Sequence, residues 1–256
     1  MIQPHLRAVV ALAWVPLAVL AAVLLTLFFW LVGLPFWLGL IIGPVLAAGI
    51  VWLLLRNSVP RLLSAIGARP LGDEEYQRYD NVVEGLALST GLSEPSLYVI
   101  DDDSLNGAAL DWSDERAIVV TTGLLDAIGR IELEGVVAGL LTRLKNGDAQ
   151  RATLGASLFG RTIIDSPLSG VAAPVARAAF GRLFEPDREI AGDQDAVSVT
   201  RYPPGLSSAL TRIETGPYEP AKTSPGLQHL WFAPPRPDAA VPHIPINWRL
   251  DVLSEI

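Results

Sequence analysis

The first 60 residues are almost uniformly apolar. Residues 8–55 form a run of 48 positions without one charged side chain, and a helix needs about 20 apolar residues to cross a bilayer. Glycine and proline interrupt the run at Val32–Pro35, which favours a turn there. The pattern predicts a transmembrane hairpin within residues 1–60, with spans at about 9–31 and 36–55. A cleaved signal peptide is the alternative, and so long a run disfavours it.

The charges that flank this run predict its orientation. Arg7 precedes the first span, Arg56 and Arg61 follow the second, and the connecting turn carries no charge. Basic flanking residues favour the cytoplasmic side, so we expect a two-span protein of the cell membrane with both termini and the soluble domain in the cytoplasm. Neither span holds an ionisable residue, which favours an anchor over a transport path.

Beyond residue 60 the periodicity changes repeatedly and predicts a mixed domain, residues 61–256. Two short β-branched runs predict strands at 96–100 and 117–121. Helical spacing predicts helices at about 73–88, 122–128, 132–145, 205–213 and 248–256, and amphipathic helices within 149–186. The proline-rich tail 215–245 predicts an extended segment that wraps the domain. We therefore expect an α+β, mainly helical fold with a small β-sheet.

Composition excludes several classes of function. The chain has a formal net charge of −8 and no cysteine. An acidic chain without a basic stripe does not match nucleic-acid binding. Without cysteine there is no disulfide framework, thiolate zinc site, iron–sulfur cluster or cysteine nucleophile. Membrane lipid is the one partner that the sequence itself indicates.

Several segments, in their order behind two apolar spans, resemble the HtpX-type membrane zinc metallopeptidases, which are relatives of the CAAX prenyl protease. The resemblance implies a zincin-like metallopeptidase domain and extends over nearly the whole chain. The matching segments are Asn81–Ala87, Gly91 with Leu92, Leu97–Asp101, Asn106–Ala109, Val119–Leu125, Glu132–Ala138, Lys145–Asp148, Arg188 with Glu189 and Asp193, and Asn247–Leu253.

The departures from the family lie at the centre of its chemistry. In the family the helix after Ala138 carries HExxH, whose two histidines bind zinc while the glutamate activates water. Here the ligand positions hold Gly139 and Arg143, and the base position holds Leu140. Glycine offers no donor, leucine accepts no proton, and arginine repels a dication. We therefore expect no catalytic residue, no metal and no cofactor.

Glu189 stands where the resemblance places the third zinc ligand. A buried carboxylate needs a partner, and Arg143 could supply it in an ion pair between two helices. The alternative is that both side chains reach solvent in an open groove.

The resemblance also implies that Asn106, Gly107, Ala108 and Ala109 line a peptide groove at a sheet edge. An Asn-Gly pair predicts a plain turn as readily, so both interpretations stay open for these four residues.

Three functions follow as expectations. The leading one is a catalytically inactive HtpX-like protein, a pseudopeptidase that binds unfolded membrane proteins or regulates an active homologue in membrane protein quality control. The first alternative is an active membrane metalloendopeptidase with a non-standard zinc site. The only histidines are His5, His229 and His243, and His229 and His243 would have to converge on the helix; we expect them to be structural instead. The second alternative is a structural scaffold of a membrane complex.

Overall fold

The structure is a computed structural model. It describes residues 4–167, 187–234 and 244–256, together with residues 170, 174, 178, 181, 183 and 184 between them. The described part is mainly helical and contains one small mixed β-sheet, which agrees with the fold class that the sequence predicts.

The apolar run forms two helices, α1 (Pro4–Leu31) and α2 (Trp37–Arg56), joined at the predicted turn. They pack antiparallel and closely, because a side chain on Gly39 would overlap Thr26 and one on Gly43 would overlap Ala22. Among the described residues, α2 is the one helix that is long and apolar enough to cross a membrane; the apolar stretch Leu17–Leu31 of α1 is shorter.

The sheet has four strands in the spatial order β1-β2-β4-β3. β2 and β4 pair in parallel, and the two other pairings are antiparallel. The strands are β1 (Arg69–Pro70), β2 (Ser96–Ile100), β3 (Gly107–Trp112) and β4 (Glu115–Thr121). The sequence predicts β2 and β4 but misses β3, where a plain turn is wrong because Gly107 begins a strand. All six β3 residues are buried. The strand therefore lacks the alternation of buried and exposed side chains from which a strand is predicted.

Most helices of the domain lie close to their predicted positions, but the helices at Ser58–Ile66 and Asp187–Thr200 were not predicted. They are α3 (Ser58–Ile66), α4 (Gln77–Thr90), α5 (Thr122–Ala127), α6 (Arg130–Lys145), α7 (Asp148–Gly155), α8 (Asp187–Thr200), α9 (Pro203–Thr215) and α10 (Ile246–Ser254). A π-helix (Ala156–Ile164) continues α7, and a 3₁₀-helix (Pro225–Leu230) lies in the proline-rich tail. Residues 235–243 of that tail and most of 168–186 lie outside the described residues.

Helix α6 forms the centre of the larger of two hydrophobic cores. It packs against α4, α8, α9 and β3, and its residues from Gly135 to Thr142 are all buried because these elements surround the helix. A second core joins α3, β3 and the 3₁₀-helix to the C-terminal end of α2, where Val51 and Leu55 are buried. The apolar helices are thereby packed directly onto the domain.

Candidate functional site

The helix that would carry the zinc ligands is α6, and its family ligand positions face other parts of this chain. A Cβ atom on Gly139 would lie 2.6 Å from Cε2 of Phe232, so the ring fills the space beside the helix. The side chain of Leu140 is fully buried and lies beside Gly107 at the start of β3. The position at which the resemblance places the family's base is therefore occupied by hydrocarbon packed against the sheet.

The free edge of β3 is covered by the chain itself, by a stretch that we name the covering segment, residues 228–233. The main-chain N–H of Phe232 donates to the Gly107 carbonyl at 2.7 Å, and Trp231 forms an antiparallel bridge with Ala108. Every residue of this segment is at least 95% buried. An edge strand is an open template for an added extended peptide, and here that peptide is part of the same chain.

Asn106 fixes the end of the covering segment to the sheet. Its Nδ2 donates to the carbonyls of Ala233 at 2.7 Å and Tyr218 at 2.8 Å. Its Oδ1 accepts from the N–H groups of Ala233 and Gly107. The side-chain amide thus donates two hydrogen bonds and accepts two, which is its full capacity. Asn106 is therefore a buried structural link between the sheet edge and the covering segment.

Arg143 holds the opposite side of the covering segment. Its Nη2 donates to the His229 carbonyl at 2.8 Å, and its Nη1 donates to the carbonyls of Trp231 at 2.9 Å and Leu230 at 3.4 Å. The guanidinium thus satisfies carbonyls that would otherwise be buried without donors. Burial lowers the pKa of Arg143, and the negative charge of Glu189 acts in the opposite direction.

A buried ion pair completes the arrangement on the other side of Phe232. Arg249 of α10 binds Asp193 of α8 through two hydrogen bonds of 2.7 Å, and its Nη1 donates to the Phe232 carbonyl at 2.9 Å. The guanidinium carbon lies 4.7 Å from the centre of the Phe232 ring. Burial disfavours the charged arginine, but the charge and hydrogen bonds of Asp193 outweigh it and raise the pKa of Arg249.

Glu189 lies on α8, one turn before Asp193, and its Oε2 accepts from the N–H of Ile244 at 3.3 Å. It is close enough to Arg143 to influence that side chain electrostatically. The hydrogen bonds of Arg143 described above go to the covering segment, and the direct Arg143–Glu189 ion pair stays a prediction.

The residues present do not fit the zinc ion of the family. Zinc is held by nitrogen, oxygen and sulfur donors at about 2 Å, whereas Gly139 and Leu140 provide none and Arg143 is a cation. Across the ranges that the structure describes, no three His, Asp or Glu side chains assemble a metal site. His229 is 5% exposed and its ring stacks on Phe184 at 3.9 Å, in agreement with a packing role. His243 lies outside the described residues.

Sequence reasoning found the positions on α6 but missed the residues that fill the site. Phe232 lies in the proline-rich tail, where no periodicity distinguishes a buried residue from an exposed one. Two sequence features point to Arg249 and Asp193: Arg249 is the single arginine of a short C-terminal helix, and Asp193 lies one helical turn after Glu189 in a matching segment.

The chain is 30% identical to a protein of Dictyoglomus thermophilum named "Protease HtpX homolog", over 72% of this chain and 69% of that protein. A protein of the same name from Tropheryma whipplei strain TW08/27 is 29% identical over 67% of this chain and 68% of its own length. One from Listeria monocytogenes serotype 4b is 26% identical over 85% and 86%. No domain-family profile matches the chain, and no solved structure matches it.

Proposed function

Because this chain belongs to the HtpX protease family, we propose that it is a catalytically inactive, membrane-anchored member that acts by binding another protein. The observation that carries the proposal is the filling of the family's catalytic space. The ring of Phe232 lies against Gly139, and Arg143 binds the covering segment where a metal ligand would stand. These α6 positions provide no ligand for a metal ion and no base for the activation of water.

The membrane part of the proposal rests on α1 and α2. Both helices expose many large apolar side chains, among them Val23, Leu27 and Ile41, each more than half exposed. Such a surface is stable in lipid and unfavourable in water. We propose that the two helices are a two-span anchor, with both termini and a zincin-like domain of residues 61–256 in the cytoplasm, as the arginines that flank them favour.

The covered β3 edge supports one kind of binding more than the other. Holding unfolded membrane proteins as extended strands would require the covering segment to leave, and that segment is buried and hydrogen-bonded on both sides. Regulation of an active homologue through another surface requires no such opening. We therefore favour regulation within membrane protein quality control over direct peptide capture.

Zinc content and proteolysis test the inactivity. The full chain, purified without a metal-binding tag, is assayed for bound zinc by elemental analysis and for casein cleavage. We expect zinc near zero and no cleavage. A stoichiometry near one zinc per chain, together with cleavage that a chelator abolishes, would overturn the proposal in favour of an active metalloendopeptidase with a non-standard site.

Crosslinking in native membranes separates the two non-catalytic functions. Capture of an active homologue, and a change in its proteolytic rate when this chain is added, supports regulation. Capture of a constant set of membrane proteins without any effect on proteolysis supports the scaffold alternative instead.

A further inference from the structure

A pocket of about 650 Å³ lies where α2 ends and the domain begins. Unlike the filled site on α6, it is open, and six of its nine lining residues are polar. The lining comes from the end of α2, from α3 and from the π-helix, and its polar members are Asn57, Arg61, Ser64, Ser157, Arg161 and Thr162. The volume lies within the range of small-molecule sites, about 300–1,000 Å³.

The charge of this pocket is positive. Arg61 and Arg161 line it from two different elements, and no aspartate or glutamate is among the described residues that do so. Neither arginine forms an ion pair with another described residue.

Ser157 adds a buried polar group without a partner. The residue is 8% exposed, it lines the pocket, and its Oγ has no hydrogen-bond partner among the described residues. Leaving a buried hydroxyl unpaired is unfavourable, so a ligand that bonds it recovers that loss. Ser157 belongs to the π-helix (Ala156–Ile164), and π-helical turns are frequent at functional sites.

We propose that this pocket binds a phosphate group, with Arg61 and Arg161 as its charge partners and Ser157 as a hydrogen-bond donor. Guanidinium groups bind phosphate through charge-assisted, bidentate hydrogen bonds. The pocket adjoins the C-terminal end of α2, the helix of membrane-spanning length. If the proposed anchor holds, this is the depth of the lipid headgroups, and the phosphate is that of an anionic phospholipid. A free phosphate would use the same contacts.

The test uses the full chain in a neutral detergent. Its melting temperature is followed while short-chain phosphatidylglycerol, short-chain phosphatidylcholine or inorganic phosphate is added. The variants are Ser157→Ala and the double substitution Arg61→Gln/Arg161→Gln. The matched control is Arg130→Gln/Lys145→Gln, which removes the same charge from exposed positions of α6 outside the pocket. Because Arg61 and Arg161 are exposed, we expect the double arginine variant without ligand to melt close to the wild type. Ser157→Ala removes a buried unpaired hydroxyl, so without ligand it should melt no lower than the wild type.

We expect phosphatidylglycerol to raise the melting temperature of the wild type at lower concentration than phosphatidylcholine. The concentration for half the effect should rise at least tenfold in the double arginine variant and about fivefold in Ser157→Ala, as loss of about 1 kcal/mol requires, and stay unchanged in the control. A response to inorganic phosphate with the same variant pattern also supports the site. A wild type that responds to no phosphate compound overturns it. The proposal is also overturned if the wild type and the double arginine variant need the same ligand concentration. It is overturned as well if the control variant needs as high a concentration as the double arginine variant.

Discussion

The β3 edge and the pocket at the end of α2 differ in whether their arginines are paired with other groups of the described part of the chain. At the β3 edge, Asn106 and Arg143 bind main-chain groups of the covering segment, and Arg249 binds Asp193. In the pocket, two arginines lack ion pairs with described residues and the Ser157 hydroxyl lacks a partner among them. Polar groups that are already satisfied stabilise a fold, whereas unsatisfied ones are available to a ligand. Under the proposed function, the location on α6 is therefore structural, and the pocket is the place where a ligand can bind.

The largest loss of stability is expected from Arg249→Met. This substitution leaves Asp193 buried without its cation, which destabilises by about 3–5 kcal/mol. The double variant Asp193→Leu/Arg249→Met removes both charges and should recover most of the loss. Thermal unfolding of the full chain in detergent measures both. A single variant that melts like the wild type would contradict a structural role for this pair.

A slightly smaller loss is expected from Phe232→Ala. The ring is 5% exposed and packs between Gly139 and Arg249, and removal of a buried phenylalanine ring destabilises by about 3 kcal/mol. Trp248→Ala is the control, because Trp248 is 61% exposed. If the two variants lost equal stability, the ring of Phe232 would not be filling the site in solution.

Arg143→Ala should destabilise by about 2 kcal/mol, because three carbonyls of the covering segment lose a charged donor. The control Arg130→Ala removes an exposed arginine from the same helix, with an ion pair to Glu134 worth less than about 1 kcal/mol. The same substitution in a Glu189→Gln background tests the predicted ion pair. An unchanged effect of Arg143→Ala there excludes strong coupling, and a much reduced effect supports the pair.

The smallest loss of stability, about 1 kcal/mol, is expected from removing the charge of Glu132 at the exposed start of α6, and it depends on pH. Glu132 accepts from the Gly129 N–H at 2.8 Å and from Arg212 at 2.7 Å. Burial opposes the ionisation of Glu132. The hydrogen bonds that its carboxylate accepts, that of Ser208 first among them, outweigh burial and lower its pKa from 4.5. Its contribution to stability is therefore present above pH 4.5 and lost as the pH falls through the lowered value.

Glu132→Gln checks this in unfolding experiments between about pH 3 and 7, a range that brackets the titration. The variant should be less stable than the wild type at neutral pH and approach it in acid. A difference that stays constant with pH would show that the charge of Glu132 contributes nothing.

The sequence predicts those helices and strands whose side chains alternate or repeat with a regular period. Strands β2 and β4, helix α6 and the turn at Val32–Pro35 all follow from periodicity and turn residues. Strand β3 and the covering segment could not be predicted this way, because each is buried by the other although they lie far apart in the sequence. Such pairing leaves no local periodicity. The family resemblance located Gly139 and Arg143, but only the fold shows what they face.

Hydrogen exchange of the full chain tests most directly whether the β3 edge is closed. The amides of the covering segment are compared with those of β4 in the same sample, since β4 is a buried central strand. We expect both to exchange slowly and at similar rates, and an added extended peptide to change neither. Fast exchange of the covering segment that slows when the peptide is added would contradict the account, since it would show a groove that opens to receive a strand.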